Sequence, residues 1–213
     1  MKKISLLQII VHLGGWLPLV HIIYASLTQQ LTANPIQAIE QRTGIQALTF
    51  LLLSLACSPL SSIVGWKELT QRRKALGIYG FMYASIHLVV FIGLDYGFDF
   101  GAIWRDVSNK WYIIIGLLAF LLLLPLALTS FKSWMKRLGK KWKTLHRLVY
   151  IISPLVAIHF LLSIKGNLAR LQGNILQPVT YGLIAIFLLI LRIPAVKTAL
   201  IGLRNRVVNR FSN

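Results

Sequence analysis

Six long apolar runs divide the sequence, and they constrain its fold more than any other feature. They cover about residues 8–27, 44–64, 75–94, 111–130, 144–164 and 177–193, each close to the roughly 20 residues that a helix needs to cross a bilayer. Only helices and closed barrels can span a membrane, because its interior holds no water to satisfy backbone polar groups. The runs show no barrel-like alternation of apolar and polar residues. The sequence therefore predicts an all-α bundle of six transmembrane helices.

The charged residues are few and mostly basic, with 23 Lys and Arg against five Asp and Glu. A basic excess can indicate nucleic-acid binding, but nucleic-acid-binding proteins carry their basic residues on a folded polar surface. Here the basic residues form short clusters between apolar runs, as in the cytoplasmic loops of membrane proteins. We therefore expect contact with membrane lipid and no nucleic-acid partner.

The distribution of Lys and Arg predicts the orientation in the membrane. One side receives the N-terminus, the loops after the second and fourth runs, and the C-terminus, which together carry 17 basic residues; the other side receives five. Positively charged loops stay in the cytoplasm, so both termini are predicted to be cytoplasmic. The first run continues to residue 27 without a small-residue cleavage site, which predicts a retained span. Because the loops are short, residues 1–213 are predicted to form one integral membrane domain.

Histidines within the apolar runs are the candidate functional residues, because an ionisable side chain inside a membrane span marks a functional site by default. Helical rise places His87 about 18 Å, His159 about 22 Å and His146 about 3 Å from the cytoplasmic edges of their runs. The third and fifth runs are parallel in the predicted topology, so His87 and His159 reach similar depths. Haem iron accepts one imidazole on each axial face. We therefore predict that His87 and His159 hold a haem between two parallel helices.

The alternative for any one histidine is a hydrogen bond to a neighbouring helix, a common role of polar residues in membrane bundles. We prefer that interpretation for His12 and His21, which point to opposite faces of the first helix. His146 has no histidine at its own depth; the residues there are Arg72–Lys74. Arg73 is a candidate to approach the haem propionates or the iron. The alternatives left open are a single haem, or a second haem held by His146 alone or with an unusual partner.

Three blocks of sequence suggest a family. They read R-R-K-A-L-G-I-Y-G-F-M-Y-A-S-I-H at residues 72–87, P-L-A-L-T-S at 125–130 and L-G-K-K-W-K-T-L-H-R-L-V-Y at 138–150. These blocks, in this order, resemble the MsrQ family of the ferric-reductase-like transmembrane superfamily, and the resemblance covers about residues 44–193. It implies that the haem histidines are His87, His146 and His159. The chain departs from the family at N-K-W-Y, residues 109–112, where members carry a K-R-P-Y-like stretch.

The resemblance implies a multi-pass protein of the bacterial inner membrane that binds haem b, once or twice, and FMN as a further cofactor. Such a subunit passes electrons from the quinone pool or a cytosolic flavin reductase to the periplasmic molybdenum enzyme MsrP. MsrP reduces methionine sulfoxide in oxidised proteins. We therefore expect an electron conduit without substrate chemistry of its own. The basic cluster at residues 132–143 is a candidate to dock a flavin phosphate or an acidic reductase, the alternative being a topology anchor.

Three rival functions fit parts of the sequence. A stand-alone metal-ion reductase would use the same scaffold, but the chain shows no appended flavin or nucleotide domain. A haem-free, proton-coupled transporter would use the histidines as proton relays. Transporters more often carry acidic residues in the middle of their spans and broken inverted repeats, whereas all five acids here are predicted to lie in loops or at span ends. A structural membrane scaffold is the third rival.

Overall fold

The computed structural model describes residues 5–164 and 174–211, and this part of the chain is helical without β-strands. A π-helical turn covers Phe91–Asp95, and a 3₁₀ turn covers His146–Leu148. The all-α class is confirmed. The ten α-helices of the described residues are α1 (Leu6–Leu27), α2 (Pro35–Val64), α3 (Glu68–Val90), α4 (Phe100–Asn109), α5 (Trp111–Leu128), α6 (Lys132–Leu138), α7 (Lys140–Leu145), α8 (Val149–Ser163), α9 (Leu176–Ile190) and α10 (Pro194–Phe211).

Five helical segments are long and apolar enough to cross a membrane. They are α1, α2, α3 with its π turn, α5, and α7 to α8 taken together. The sixth predicted span corresponds to α9, which has only 15 residues. It is long enough to cross a membrane only when α10 is counted with it, and the two helices are bent by 81°. The multi-pass helical architecture is thus confirmed, with a sharp bend at the end of the last span. The cytoplasmic placement of the termini stays a prediction.

Helix α2 begins well before its apolar run. The Asn34 side chain accepts a hydrogen bond from the backbone amide of Gln37 at 3.1 Å, and Pro35 occupies the first helical position. Both residues are typical of a helix N-terminus, because Asn satisfies a free amide and Pro has no amide to satisfy. Glu40, which we expected outside the helix, therefore lies in the second turn of α2.

Helix α2 is the central element of the bundle, since it contacts α1, α3, α8, α9 and α10. Lipid tails are as apolar as leucine side chains, so close packing holds membrane helices together instead of the hydrophobic effect. Four helices contribute buried side chains to one continuous core: Leu48, Leu51, Leu52 and Leu55 from α2, Leu123 and Leu126 from α5, Val149 and Ile152 from α8, and Ala185 and Leu188 from α9.

A second buried cluster joins α1 to α2 and α3. Tyr83 is fully buried and donates a hydrogen bond from its hydroxyl to the backbone carbonyl of Gly15 at 2.9 Å. A Cβ atom on Gly15 would lie 2.4 Å from the ring of Tyr79. Only glycine therefore fits at position 15, where it lets α1 approach the aromatic face of α3.

Candidate cofactor site

His87 on α3 and His159 on α8 face each other inside the bundle. Their ring centres are 6.2 Å apart, and their ring planes are inclined by 80°. The depth comparison placed both histidines at the same level, and the structure brings the two rings together. His146 lies thirteen residues before His159, at the start of the same span, and does not join this pair.

Both rings are oriented by backbone carbonyls of the helices next to them. His87 Nδ1 lies 2.9 Å from the carbonyl oxygen of Glu40 on α2, and His159 Nδ1 lies 2.7 Å from that of Tyr112 on α5. A carbonyl oxygen only accepts hydrogen bonds, so each Nδ1 carries a hydrogen and donates it. In the neutral ring the lone pair is therefore on Nε2, the atom that is free to bind a metal.

The distance between the rings tests whether the pair fits a haem. Metal–imidazole bonds are about 2 Å long, and the centre of a five-membered ring with bonds of about 1.3–1.4 Å lies about 1.1 Å from its atoms. Two imidazoles on opposite sides of one metal atom therefore have their ring centres about 6.2 Å apart. The observed 6.2 Å agrees with this value. His87 and His159 are therefore spaced so that they would be able to hold a single iron between them.

His146 has the same tautomer as the other two histidines but a different setting. Its Nδ1 lies 3.1 Å from the carbonyl oxygen of Trp142, one helical turn earlier, and its ring lies 4.1 Å from the Trp142 ring. Trp142 is held in turn by a hydrogen bond from its Nε1 to the carbonyl of Thr129 at 2.9 Å. Within residues 5–164 and 174–211, the buried Nε2 of His146 has no hydrogen-bond partner. This nitrogen is therefore available to a ligand.

Arg73 lies at the His146 end of the bundle. Its Nη1 is 3.3 Å from the Ser58 hydroxyl, and its backbone carbonyl accepts a hydrogen bond from Ser54 at 2.9 Å. Its guanidinium is within electrostatic range of His146 and of Arg192. The predicted site residues therefore fall into two groups, His87 with His159 and His146 with Arg73. The first group we call the paired-histidine site and the second the His146 site.

A network of polar side chains lies in the segment that links α3 to α5. Lys110 Nζ is 2.5 Å from an Asp106 carboxylate oxygen, and the Tyr96 hydroxyl also donates to that carboxylate. The hydrogen bonds from Lys110 and Tyr96 lower the pKa of Asp106, while the bond to Asp106 raises the pKa of Lys110. Burial, and next the bond to Asp106, raises the pKa of Tyr96 to about 12. Lys110 of the divergent N-K-W-Y stretch is thus fixed against α4.

Sequence reasoning missed the residues that orient the paired histidines. Glu40 and Tyr112 act through their backbone, and Gly44 and Gly116, each four residues later, lie against the two rings. One signal is visible in the sequence, because the same spacing occurs twice. In each case the residue whose carbonyl accepts lies 47 residues before its histidine, and a glycine follows that residue by four positions. The signal becomes meaningful only once the helix pairs are known.

Comparison with known proteins identifies the family. The profile described as "Ferric reductase like transmembrane component" matches residues 43–157. Three similar proteins are each named "Protein-methionine-sulfoxide reductase heme-binding subunit MsrQ". The one from Rhodospirillum rubrum is 39% identical over 192 residues, covering 89% of each chain. The one from Herminiimonas arsenicoxydans is 36% identical, covering 90% of this chain and 86% of its own. The one from Caulobacter vibrioides is 34% identical, covering 86% and 85%.

This chain belongs to the MsrQ family. The similarity covers nearly the whole chain, so it includes every helix that contributes to the two sites. The ferric-reductase-like match runs from α2 into α8, from just before Gly44 to just before His159. MsrQ membership and the apolar helices agree on a multi-pass bacterial membrane protein.

Proposed function

We propose that this chain is the b-type haem subunit of a methionine sulfoxide reductase system in the bacterial inner membrane. It would take electrons from the quinone pool or a cytosolic flavin reductase and pass them to a periplasmic molybdenum reductase of the MsrP type, which repairs oxidised periplasmic proteins. The observation that carries the proposal is the paired-histidine site, whose ring separation and tautomers would allow His87 and His159 to bind one iron together. The names of the MsrQ relatives, as haem-binding subunits, support it.

The chain's own residues would hold and tune the cofactor. A bound haem supplies one-electron redox chemistry through its iron. His87 and His159 would each present a neutral Nε2 to it, because the carbonyls of Glu40 and Tyr112 hold the hydrogen on Nδ1. A hydrogen bond from Nδ1 also makes the opposite nitrogen a stronger donor. The partial burial of both histidines would further affect the potential of a bound haem.

The His146 site is the proposed position of a second cofactor. His146 offers a buried, unpartnered Nε2, and Arg73 brings a positive charge to the same end of the bundle. A second haem would use His146 as its ligand and Arg73 as the partner of a propionate. FMN, whose phosphate is an anion, would instead favour the basic segment at residues 132–143, which forms α6 and α7.

The first experiment is a reduced-minus-oxidised absorption spectrum of the purified protein, recorded with His87→Ala and His159→Ala. The control is His21→Ala, which removes an exposed histidine of α1. We expect a b-type spectrum that loses the same component in both paired-histidine variants and is unchanged in His21→Ala. A colourless wild type after expression with sufficient haem, or a full spectrum in both variants, would contradict the proposal.

A second experiment tests the electron acceptor. The protein is reconstituted in liposomes, reduced with a quinol, and mixed with a purified periplasmic molybdenum reductase and a methionine sulfoxide substrate. We expect reoxidation of the cofactor that depends on both additions. Reoxidation by a ferric chelate, with no response to the reductase, would favour the stand-alone metal-ion reductase instead.

A further inference from the structure

Each ring of the paired-histidine site lies directly against a glycine of a neighbouring helix. A Cβ atom built on Gly44 of α2 would lie 3.2 Å from Nδ1 and 3.3 Å from Cε1 of His87. A Cβ atom built on Gly116 of α5 would lie 2.7 Å from both Nδ1 and Cε1 of His159. The atom that a side chain at either position would displace is thus the nitrogen that donates to the carbonyl.

The same arrangement occurs twice in the chain. His87 donates to the carbonyl of Glu40 and lies against Gly44, while His159 donates to the carbonyl of Tyr112 and lies against Gly116. In both helices the glycine follows the acceptor by four residues. Two separate pairs of helices, α2 with α3 and α5 with α8, therefore hold a histidine by the same combination of a backbone carbonyl and a glycine.

Helix geometry explains why the glycine follows the acceptor by four residues. In an α-helix the carbonyl of residue i points along the axis toward residue i+4, whose amide it accepts. The rings of His87 and His159 approach their carbonyl acceptors over residue i+4, which is Gly44 or Gly116. Any side chain at that position, even a methyl group, would occupy the path. Glycine leaves it open.

We infer that Gly44 and Gly116 are positioning residues that set the tautomer and the ring orientation of the two haem ligands, an inference that rests on the proposed function. With glycine beside each ring, Nδ1 donates to the helix carbonyl and Nε2 keeps the lone pair that would bind the iron. A side chain at position 116 would force the His159 ring to rotate or move away, whereas one at position 44 would require the His87 ring to shift by a few tenths of an ångström. Either change would weaken the hydrogen bond that strengthens Nε2 as a ligand.

Other glycines of the bundle provide controls for close packing and for helix stability. A Cβ atom on Gly80 would lie 3.2 Å from the backbone nitrogen of Leu51 and 3.3 Å from the carbonyl oxygen of Ala47, so this glycine serves close approach of α3 to α2. A Cβ atom on Gly182 of α9 would meet nothing within 4 Å. Because alanine is a better helix former than glycine, a loss at Gly44 or Gly116 cannot arise from helix propensity.

The test compares Gly116→Ala and Gly44→Ala with Gly80→Ala and Gly182→Ala in the purified holoprotein. The readouts are haem content, the low-spin electron paramagnetic resonance signal, and the midpoint potential. We expect Gly116→Ala, the tighter contact, to lower haem affinity by about tenfold or more. Gly44→Ala should retain haem but alter the resonance signal. It should also raise the midpoint potential, because a weaker donor ligand stabilises ferric iron less and so favours the ferrous form. Gly80→Ala should lower thermal stability without changing the signal, and Gly182→Ala should match the wild type.

A double variant separates positioning from general folding. In a His159→Ala background the ring is gone, so adding Gly116→Ala should cause no further loss of thermal stability or of the remaining haem signal. An additive loss would assign Gly116 to helix packing and overturn the inference. Wild-type signal and potential in both Gly44→Ala and Gly116→Ala would overturn it while leaving the proposed function intact. A wild-type protein that binds no haem would instead overturn the proposed function.

Discussion

A backbone carbonyl fixes the hydrogen of every histidine in the two candidate sites. His87, His159 and His146 all direct Nδ1 at a main-chain oxygen, at 2.9, 2.7 and 3.1 Å. The first two oxygens belong to neighbouring helices, whereas the third belongs to the turn that precedes His146 itself. The orientation of His146 is therefore a local property, while that of the pair depends on the assembly of the bundle.

Removing His146 tests how many cofactors the chain binds. We expect His146→Ala to lower the haem content from about two per chain to about one, because the ring offers an Nε2 that is buried and unpartnered within the described residues. The component that is lost in His87→Ala and His159→Ala should persist. Haem per chain is measured by the pyridine haemochrome method. A wild-type ratio near one, unchanged in His146→Ala, would leave a single haem at the paired-histidine site.

Asp106 gives a prediction of pH dependence. Lys110 and Tyr96 lower the pKa of Asp106, so the stabilisation from its charged form is fully present above its unfolded pKa, near 4, and is lost as the pH falls through the lower folded pKa. We expect Asp106→Asn to melt slightly below the wild type at neutral pH, with a difference in melting temperature that shrinks as the pH falls below the unfolded pKa. The measurement is the melting temperature in detergent as a function of pH.

Asp95→Asn is the matched control for Asp106→Asn, since Asp95 forms no ion pair with any residue in the described ranges. The difference in melting temperature between Asp95→Asn and the wild type should not follow the pH course expected for Asp106→Asn. If the difference between Asp106→Asn and the wild type instead grows on acidification, the prediction that the charged Asp106 stabilises the fold is wrong.

At the scale of the elements, the apolar runs located the spans but not their ends. Helix α3 begins at Glu68, ahead of the run, because Arg72, Arg73 and Lys74 continue the helix despite their charge. The fifth run contains a 3₁₀ turn at His146–Leu148, whereas α8 continues through Pro154. Hydropathy records the depth of a residue in lipid. It does not record where backbone hydrogen bonds begin or change their spacing.

Arg192 attaches the end of α9 to two other helices. Its guanidinium donates to the carbonyl of Leu55 at 2.5 Å and to the hydroxyl of Tyr150 at 2.8 Å, and it lies 4.9 Å from the centre of the Tyr150 ring. A planar guanidinium reaches both acceptors at once, whereas the single ammonium of lysine cannot. We expect Arg192→Lys to lower the free energy of unfolding by about 1 kcal/mol, or the melting temperature by about 2–4 °C.

Tyr150→Phe removes only part of the Arg192 contact, because it deletes one hydrogen bond and keeps the aromatic ring under the guanidinium. Its melting temperature should fall less than that of Arg192→Lys. Lys197→Arg on α10 conserves the charge away from this contact and should match the wild type. Equal melting temperatures for Arg192→Lys and the wild type would show that the two hydrogen bonds of the Arg192 guanidinium do not stabilise the position of α9.

At the scale of the whole molecule, the sequence predicted the multi-pass helical architecture and the meeting of two histidines. Depth along parallel helices was sufficient to select His87 and His159, because helical rise converts residue number directly into height. Rotation about each helix axis and the choice of neighbours were not accessible in this way. The glycines and carbonyls that hold the rings belong to α2 and α5, and their role depends on which helices pair.

The orientation in the bilayer is a prediction for the intact molecule. We expect a fluorescent protein fused to the C-terminus to be fluorescent, and alkaline phosphatase fused there to be inactive, because the basic loops hold that end in the cytoplasm. Phosphatase fused after Phe98, in the segment between α3 and α4, should be active. The reverse pattern would invert the two faces and place the His146 site on the periplasmic side.

The two histidines of the paired-histidine site belong to helix pairs that are synthesised at different times. A ribosome adds about 5–20 residues per second, so α2 and α3, with His87 and its carbonyl, are complete before α8. A chain that stops within α5 has His87 and its carbonyl acceptor but lacks His159. If both histidines bind the cofactor, as proposed, its capture by the pair would wait until translation has passed α8. The colour of the protein would then report that its synthesis has reached that point.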